Sequence, residues 1–510
     1  MTTVSSPHRH ARNAPPSVAL MVVLLSACTV GPDFVPPKPQ TPEHWSATAV
    51  EAEQAPSAAT AAAAPTGLLI EQPAQLAAWW NVFQDPELGS LIGRALDANL
   101  DLRAAVLRVE EARTQRAVAA AGYWPSISAD ASYSRQRLSD TTPTGSLFNS
   151  IGNVRLPGGA GISIPNPYNQ FQLSADATWE VDLFGRVRRS VEAADASVQV
   201  SLEDQRLVRV SVLADVAQSY TELRGAQARL GVARDNLATI EQLLDLTRQR
   251  RAAGLTTHID VSNASAEASA TRAELPAFEF QITENINQLS KLLAREPEAL
   301  REELGRPAPV PSVPRDVSIG LPAELARRRP DIREAEANLH AATAQVGVAV
   351  ADLFPRLDLS AMGGFQSETT GNLLSWASRF GSFGPALELP VLDRGRWKTV
   401  RLYDVRAREA ALAYQRTVLN ALHEVENSAA AYHADLERRT WLDAAVVQNR
   451  DALMLSRQRY ENGVITFIDV LDVERTLQQN ELALADTTTA ASADLVGLYR
   501  ALGGGWQPAP

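Results

Sequence analysis

The chain carries one long pattern twice, and that duplication limits its fold more than any other feature. Tyr123-Trp124-Pro125-Ser126-Ile127 returns as Leu353-Phe354-Pro355-Arg356-Leu357. Farther on, Leu246, Arg248, Gln249, Arg250, Gly254, Thr257, Ile259, Asp260 and Val261 return at the same spacing as Leu455, Arg457, Gln458, Arg459, Gly463, Thr466, Ile468, Asp469 and Val470. A unit of this length is a domain-sized half with the same element order in each copy, not a small solenoid module. The matched prolines stand farther apart than the matched glycines, so copy one holds extra residues between those landmarks. They fall in 140–168, rich in Gly, Pro, Ser and Thr, which predicts a long exposed loop.

Composition excludes several classes of function. The 510 residues are 45% apolar and 6% aromatic with a net charge of −11, which argues against a nucleic-acid partner. One cysteine rules out an internal disulfide, and with seven histidines leaves almost nothing for a Cys/His metal site. His423-Glu424 begins like a zinc-protease motif, but Asn427 stands where the second histidine belongs. The reading is therefore no enzyme, no metal and no cofactor.

The single cysteine is placed informatively. Arg9 and Arg12 precede a short apolar run, 18–25, that is too short to span a bilayer and has the form of a secretory signal. It ends Leu25-Ser26-Ala27-Cys28, which resembles a bacterial lipobox, with Cys28 as the lipidated first residue of the mature chain. Two acyl chains anchor stably where one does so marginally. Thr29 follows, with no acidic residue to signal inner-membrane retention, so outer-membrane lipid is the expected anchor site. A Pro-rich arm, 31–42, and an Ala/Pro-rich tract, 47–65, read as a tether that cannot fold alone.

Two kinds of periodicity follow. Phe171, Leu173, Ala175, Ala177, Trp179, Val181 and Leu183 alternate with polar residues, as do Ile127, Ala129, Ala131 and Tyr133. Copy two has weaker echoes at Leu357, Leu359, Ala361 and Phe365, and at Leu387, Leu389 and Val391. Each copy thus supplies a two-stranded hairpin. The alternation fits a sheet between lipid and water, and equally a soluble sheet with one wet face. The lipobox, with Tyr123, Trp124, Phe184 and Phe354 near the strand ends as an interfacial belt, favours the membrane. Four strands cannot close a barrel, which needs about eight, so a membrane sheet requires an oligomer.

The second periodicity is helical. Residues 186–253 contain no proline, and Val216, Leu223, Leu230, Leu237 and Leu244 recur every seven positions, with Ser219, Ala226, Ala233, Ile240 and Thr247 three residues after each. Such a seam predicts closely packed, coiled-coil-like helices. At about 1.5 Å per residue a helix of this length approaches the depth of a periplasm. Copy two has its counterpart in 396–462. Gly254 and Gly463 end the long helices, and new ones start at Asp260 and Asp469.

Together the lipobox, the Gly31-Pro32-Asp33-Phe34-x-Pro36-Pro37 arm, the Trp79-Trp80 pair, the Tyr/Phe-Pro-x-Ile/Leu strand entries, the Asp182-Leu183-Phe184-Gly185-Arg186 junction and both Gly-x5-Asp turns resemble an outer-membrane factor. The likeness is to TolC-like and OprM-like efflux channels, in the lipoprotein or NodT-type branch, and covers residues 28–505. It implies a mixed α and β membrane protein with a TolC-like duplicated fold. Each chain would give four strands of a trimeric 12-stranded β-barrel and long helices of a 12-helix periplasmic α-barrel. The segments are a signal peptide, 1–27; a lipid-anchored arm, 28–75; a first repeat, 76–310, with hairpin 126–185 and helices 186–295; and a second, 311–505, with hairpin 356–395 and helices 396–502. The linker 307–322 would lie near a belt around the middle.

The resemblance also implies function: a homotrimeric exit duct, passive, served by an inner-membrane pump of the resistance-nodulation-division (RND) type and a periplasmic membrane-fusion adaptor. The adaptor would meet the turns at Gly254, Thr257, Asp260, Gly463 and Thr466. The gate would be Ile468, Asp469, Asp472, Arg475 and Tyr460. Asp469, Asp472 and Arg475, three apart, share one helix side, and acidic rings around a threefold axis favour cations. Ile468 would supply an apolar constriction, and Arg475 a bridge to a neighbouring chain. Asp469 fits a helix-capping acid as well as a gate acid, and Asp260 fits only the cap. Ile465 stands where TolC-like channels have a basic residue, whereas Asp472 and Arg475 match the OprM-like pattern; Tyr460 matches a TolC gate tyrosine and fits equally an exposed tip tyrosine packed on a neighbouring helix. A type I secretion channel, a self-sufficient porin and a lipid-anchored periplasmic scaffold are the alternatives.

Overall fold

The computed structural model describes residues 29–39, 41–46, 69–70, 76–152, 166–314 and 316–507. Its helices are α1 (Pro86–Ala98), α2 (Leu100–Ala120), α3 (Pro143–Gly152), α4 (Arg186–Ala252), α5 (His258–Leu292), α6 (Arg301–Leu304), α7 (Pro322–Arg328), α8 (Pro330–Ala351), α9 (Arg394–Glu461) and α10 (Phe467–Ala501). Strands are β1 (Leu69–Ile70), β2 (Ser126–Gln136), β3 (Tyr168–Val181), β4 (Val317–Ser318), β5 (Arg356–Ser367) and β6 (Arg379–Glu388). No helix among the described residues is long and apolar enough to cross a membrane.

The chain divides into two compact units. One comprises the described parts of residues 29–35, Arg113–Ser197 and Leu339–Glu409, and holds a four-stranded sheet in the order β2-β3-β5-β6. All three pairings are antiparallel, and β3 with β5 joins the hairpins of the two repeats. The register decides what the sheet presents. Ile127 faces Ala177 and Tyr133 faces Phe171; Trp179 faces Leu359 and Leu173 faces Phe365; Leu357 faces Leu387 and Ala361 faces Phe383. Side chains alternate between faces, so these residues share one apolar face, on which Ile127, Tyr133, Leu173, Trp179, Phe383 and Leu387 are exposed. The other face carries Ser128, Asp130 and Ser132 opposite Asp176, Ser174 and Gln172.

Strand-to-helix junctions in this unit are built alike in both copies. The Asp182 carboxylate accepts the backbone N–H groups of Val187 and Arg188 at 3.1 and 2.9 Å, and Asp393 those of Gly395 and Arg396 at 2.8 and 3.2 Å. Each satisfies free donors at the start of a long helix. The rings of Phe184 and Phe354 stack at 4.9 Å.

Two details depart from the sequence reading. The expected loop 140–168 contains helix α3, because Pro143 suits a helix's first turn and Thr142 accepts the Gly145 N–H; residues 153–165 are outside the described residues. The last strand ends at Glu388, short of Leu389 and Val391, because Pro390 has no N–H for a ladder. It begins at Arg379, where Gly381, Gly384 and Pro385 had hidden its alternation.

The second unit comprises the described parts of Pro36–Ala112, Val198–Asn338 and 410–507. Its larger core packs Trp45, Trp79 and Phe83 with Leu213, Tyr220 and Leu223 of α4, Leu289 of α5, Val425 and Tyr432 of α9, and Leu495 and Leu498 of α10. Trp79 stacks on Tyr499 at 5.3 Å. The seven-residue seam of α4 is buried at Val216, Leu223, Leu230 and Leu244, and so are the small residues Ala226 and Ala233. Gly225 allows close approach: a Cβ there would lie 2.4 Å from Thr489 of α10. A short parallel pair, β1 with β4, was not anticipated.

Candidate functional site at the helical turns

A smaller core closes the far end of the second unit, joining Ile240, Leu243 and Leu244 of α4, Ala264 and Ala268 of α5, Val446, Leu453 and Tyr460 of α9, and Phe467, Val470, Leu471 and Leu477 of α10. Two turns cross this end, and the duplication is visible in both. After α4, Leu255 N–H donates to the Arg250 carbonyl at 2.8 Å and Gly254 N–H to that of Arg251 at 2.9 Å. After α9, Val464 N–H donates to Arg459 and Gly463 N–H to Tyr460, both at 2.9 Å. Gly254 and Gly463 sit at φ +76° and +71°, which only glycine adopts without strain.

The next helix then begins with a reciprocal cap. In the first turn the Asp260 carboxylate accepts the Thr257 N–H at 2.9 Å, and Thr257 Oγ1 accepts the Asp260 N–H at 3.3 Å. In the second, Asp469 accepts the Thr466 N–H at 2.8 Å and its hydroxyl at 2.7 Å. Asp469 is thus occupied in capping its own helix, as Asp260 is. Hydrogen bonds from Thr466, hydroxyl first and backbone second, hold the Asp469 carboxyl below the usual range. That of Asp260 is lowered by the Thr256 hydroxyl above all, and by Thr257.

The other expected gate residues are distributed unevenly. Ile468 is 52% exposed, and Leu255, Ile259 and Val464 on the two turns are exposed as well. Asp472 is exposed on α10. Arg475 is engaged within its own chain, donating to Glu267 of α5 at 2.6 and 3.0 Å. Tyr460 is buried: its ring meets Phe467 edge-on at 5.9 Å, and the Arg250 guanidinium lies 4.6 Å from its centroid. Arg250 also donates to the Glu461 carbonyl at 2.8 Å, pinning one turn to the other. The sequence reading assigned no role to Glu267 or Glu474, and showed Arg250 only as one residue of the repeat. The signal for Glu474 was present, since it occupies the apolar stripe Phe467, Val470, Leu471, Leu477.

Cys28 lies outside the described residues, but the arm after it is docked on the first unit. Val30 N–H donates to the Phe184 carbonyl at 3.2 Å, and Arg189 donates to the Val30 and Gly31 carbonyls and to Asp33 at 2.6 Å. Phe34 stacks on His340 at 4.3 Å. No group of three or more His, Cys, Asp or Glu among the described residues could hold a metal ion, and Glu424 of the zinc-like dipeptide is paired with Arg329 at 2.7 Å.

Comparison with known proteins gives this arrangement its family. The profile described as Outer membrane efflux protein matches residues 91–295 and 321–504, one block in each repeat. Outer membrane protein OprJ of Pseudomonas aeruginosa is 32% identical over 491 residues, covering 96% of this chain and 95% of that one. Nodulation protein T of Rhizobium leguminosarum bv. viciae is 31% identical over 497 residues, covering 96% and 93%. Among solved structures, the outer-membrane channel OprN superposes with a TM-score of 0.81 at 33% identity, over 94% of this chain and all of that one. The open state of the Neisseria gonorrhoeae MtrE outer membrane channel gives 0.73 at 27% identity, over 94% and 98%. A four-stranded sheet and long helices, in two repeats, are the TolC-like mixed α and β fold of these non-enzymatic channels, and the chain belongs to the outer membrane efflux protein family.

Proposed function

We propose that three copies of this chain form the exit duct of a tripartite system, through which small molecules leave from an inner-membrane pump and periplasmic adaptor. Efflux across the outer membrane is the family's function; the trimer, the gate residues and the partners are inferred from it. The observation that carries it is the register of the sheet, which sorts apolar and polar residues onto opposite faces while leaving β2 and β6 with an unpaired edge each. Pairing β2 of one copy with β6 of the next satisfies those edges. Three copies give twelve strands with an apolar exterior and a polar lumen.

The turns at Gly254–Asp260 and Gly463–Asp469 are the adaptor's landing site and the closed tip. Exposed Leu255, Ile259, Val464 and Ile468 offer apolar contact, and Asp472 and Asp469 line the entrance. The open state reported for MtrE is the kind of arrangement an adaptor would have to prefer in order to open the tip. The pump is of the RND type, and likeness to Nodulation protein T supports the NodT-type branch. Cys28 carries lipid at the outer membrane, a reading supported by the docking of Thr29 and Val30 beside Phe184 and Gly185, where the sheet ends.

Accumulation of a fluorescent efflux substrate tests this reading in cells with and without the chain, and with and without the adaptor. Dye should build up equally when either is removed. Efflux unchanged by loss of the adaptor would make the chain a self-sufficient porin, and an oligomer that falls apart in SDS at room temperature would favour the scaffold.

A further inference from the structure

Glu474 is the least comfortable residue at the tip. It lies on the buried side of α10 between Val470 and Leu477 and is 1% exposed. Its Oε2 has no hydrogen-bond partner. The nearest cation, Arg457 of α9, stands at 3.7 Å, beyond hydrogen-bond reach. Arg457 donates instead to the Thr239 carbonyl of α4 at 3.5 Å, and its own Nε is unpartnered.

The other charges around it are already matched. From α5 comes Glu267, held by Arg475. Two turns along α10 is Glu481, held by Arg450 of α9 at 2.8 and 2.9 Å. An ionised Glu474 therefore has two carboxylates and one distant arginine for company, in a site closed to water. Burial, the largest effect, pushes its carboxyl up to about 7; Arg457 pulls the other way, and Glu481 and Glu267 add to the rise.

We propose that Glu474 is a proton-operated latch of the periplasmic tip: protonated, it lets α10 lie against α9 and α5 and keeps the tip shut; ionised, it favours an arrangement in which the carboxylate reaches water. This regulation rests on the tip-gated duct proposed above. The sign follows from linkage. A carboxyl that holds its proton more tightly when buried stabilises the packed arrangement as pH falls through its raised pKa, and that stabilisation is lost as pH rises through it. With an ordinary carboxylate in the open arrangement, the closed-to-open ratio rises about tenfold per chain from pH 8 to pH 6. Asp469 cannot mimic this step, because its carboxyl is held below the usual range.

The test is the fraction of time open of the full-length protein in planar bilayers, with equal salt on both sides, at pH 8 and pH 6. Wild type should close by about tenfold or more at the lower pH. Glu474→Gln, a neutral mimic of nearly the same shape, should remain at the low opening level at both. Arg457→Gln removes the one attraction that favours ionisation and should move the step to higher pH. A wild type that conducts without the step, or a Glu474→Gln variant that keeps it, would overturn the latch and leave the duct standing. No conductance from wild type or from the gate variant Asp469→Ala/Asp472→Ala/Arg475→Ala would overturn both.

Discussion

Arg475 donates through Nη2 and Nε to one carboxylate oxygen of Glu267, at 2.6 and 3.0 Å, and so ties α10 of the second repeat to α5 of the first. Arg475 is half exposed, and Glu267 is more sheltered. Exposed ion pairs contribute about 0–1 kcal/mol to stability, so this one matters for where α10 sits more than for whether the chain folds. Glu267→Ala should leave thermal unfolding nearly unchanged and raise single-channel opening. The exchange Glu267→Arg/Arg475→Glu should return opening toward wild type; a channel that stays open after the exchange would assign the effect to the charges themselves and not to their pairing.

The caps make a separate prediction about pH. Asp260 and Asp469 have carboxyls below the usual range. Their contribution is complete above the ordinary carboxylate pKa and is lost only as pH falls through the depressed value. Amide hydrogen exchange at the starts of α5 and α10 should therefore be equally protected at neutral and mildly acidic pH. Thr257→Ala should cost about 1 kcal/mol of local protection at the start of α5 alone, with α10 and the sheet unaffected.

Gly225 and Thr489 set how closely α4 approaches α10. A methyl at position 225 would overlap both branches of Thr489 at 2.4 Å. Overpacking of this kind costs about 1–3 kcal/mol, so Gly225→Ala should lower the unfolding temperature. Adding Thr489→Ala removes the two overlapping atoms and should restore much of the loss. Independent, additive effects of the two substitutions would contradict the contact.

Arg189 is the clamp on the arm. Its side chain is almost wholly buried and holds Asp33 and Glu192, and its Cδ and Cγ pass 2.8 and 2.9 Å from where a Cβ on Gly347 would lie. Arg189→Ala should expose the arm around Pro36 to limited proteolysis while the sheet and core stay resistant. A further variant, Gly347→Leu, should free the arm in the same way, since a larger side chain there would occupy the space of the arginine.

Much of this fold is legible because duplication shows each pattern twice. The strict alternation of Phe171 to Val181 reports directly which face of the sheet each residue shares, and the heptad positions Val216, Leu223 and Leu230 report their burial, since period two and period seven have few other causes. The strand Arg379–Glu388 was half hidden because glycines in it carry no side chain to show a face. The site was legible where chemistry is local: a glycine, a threonine and an aspartate within one turn dictate the cap without reference to anything else. It was illegible where a partner comes from the other repeat. Glu267 and Arg475 are 208 positions apart, and nothing in either local stretch names the other. Tyr460 illustrates the same point, since the Arg250 guanidinium over its ring comes from the first repeat.

The most direct test of the account is the current through the purified protein in a planar bilayer, for wild type and for Asp469→Ala/Asp472→Ala/Arg475→Ala. Small cation-selective openings in wild type that become much larger in the variant are the result the tip-gated duct predicts. An absence of conductance from both proteins would contradict it.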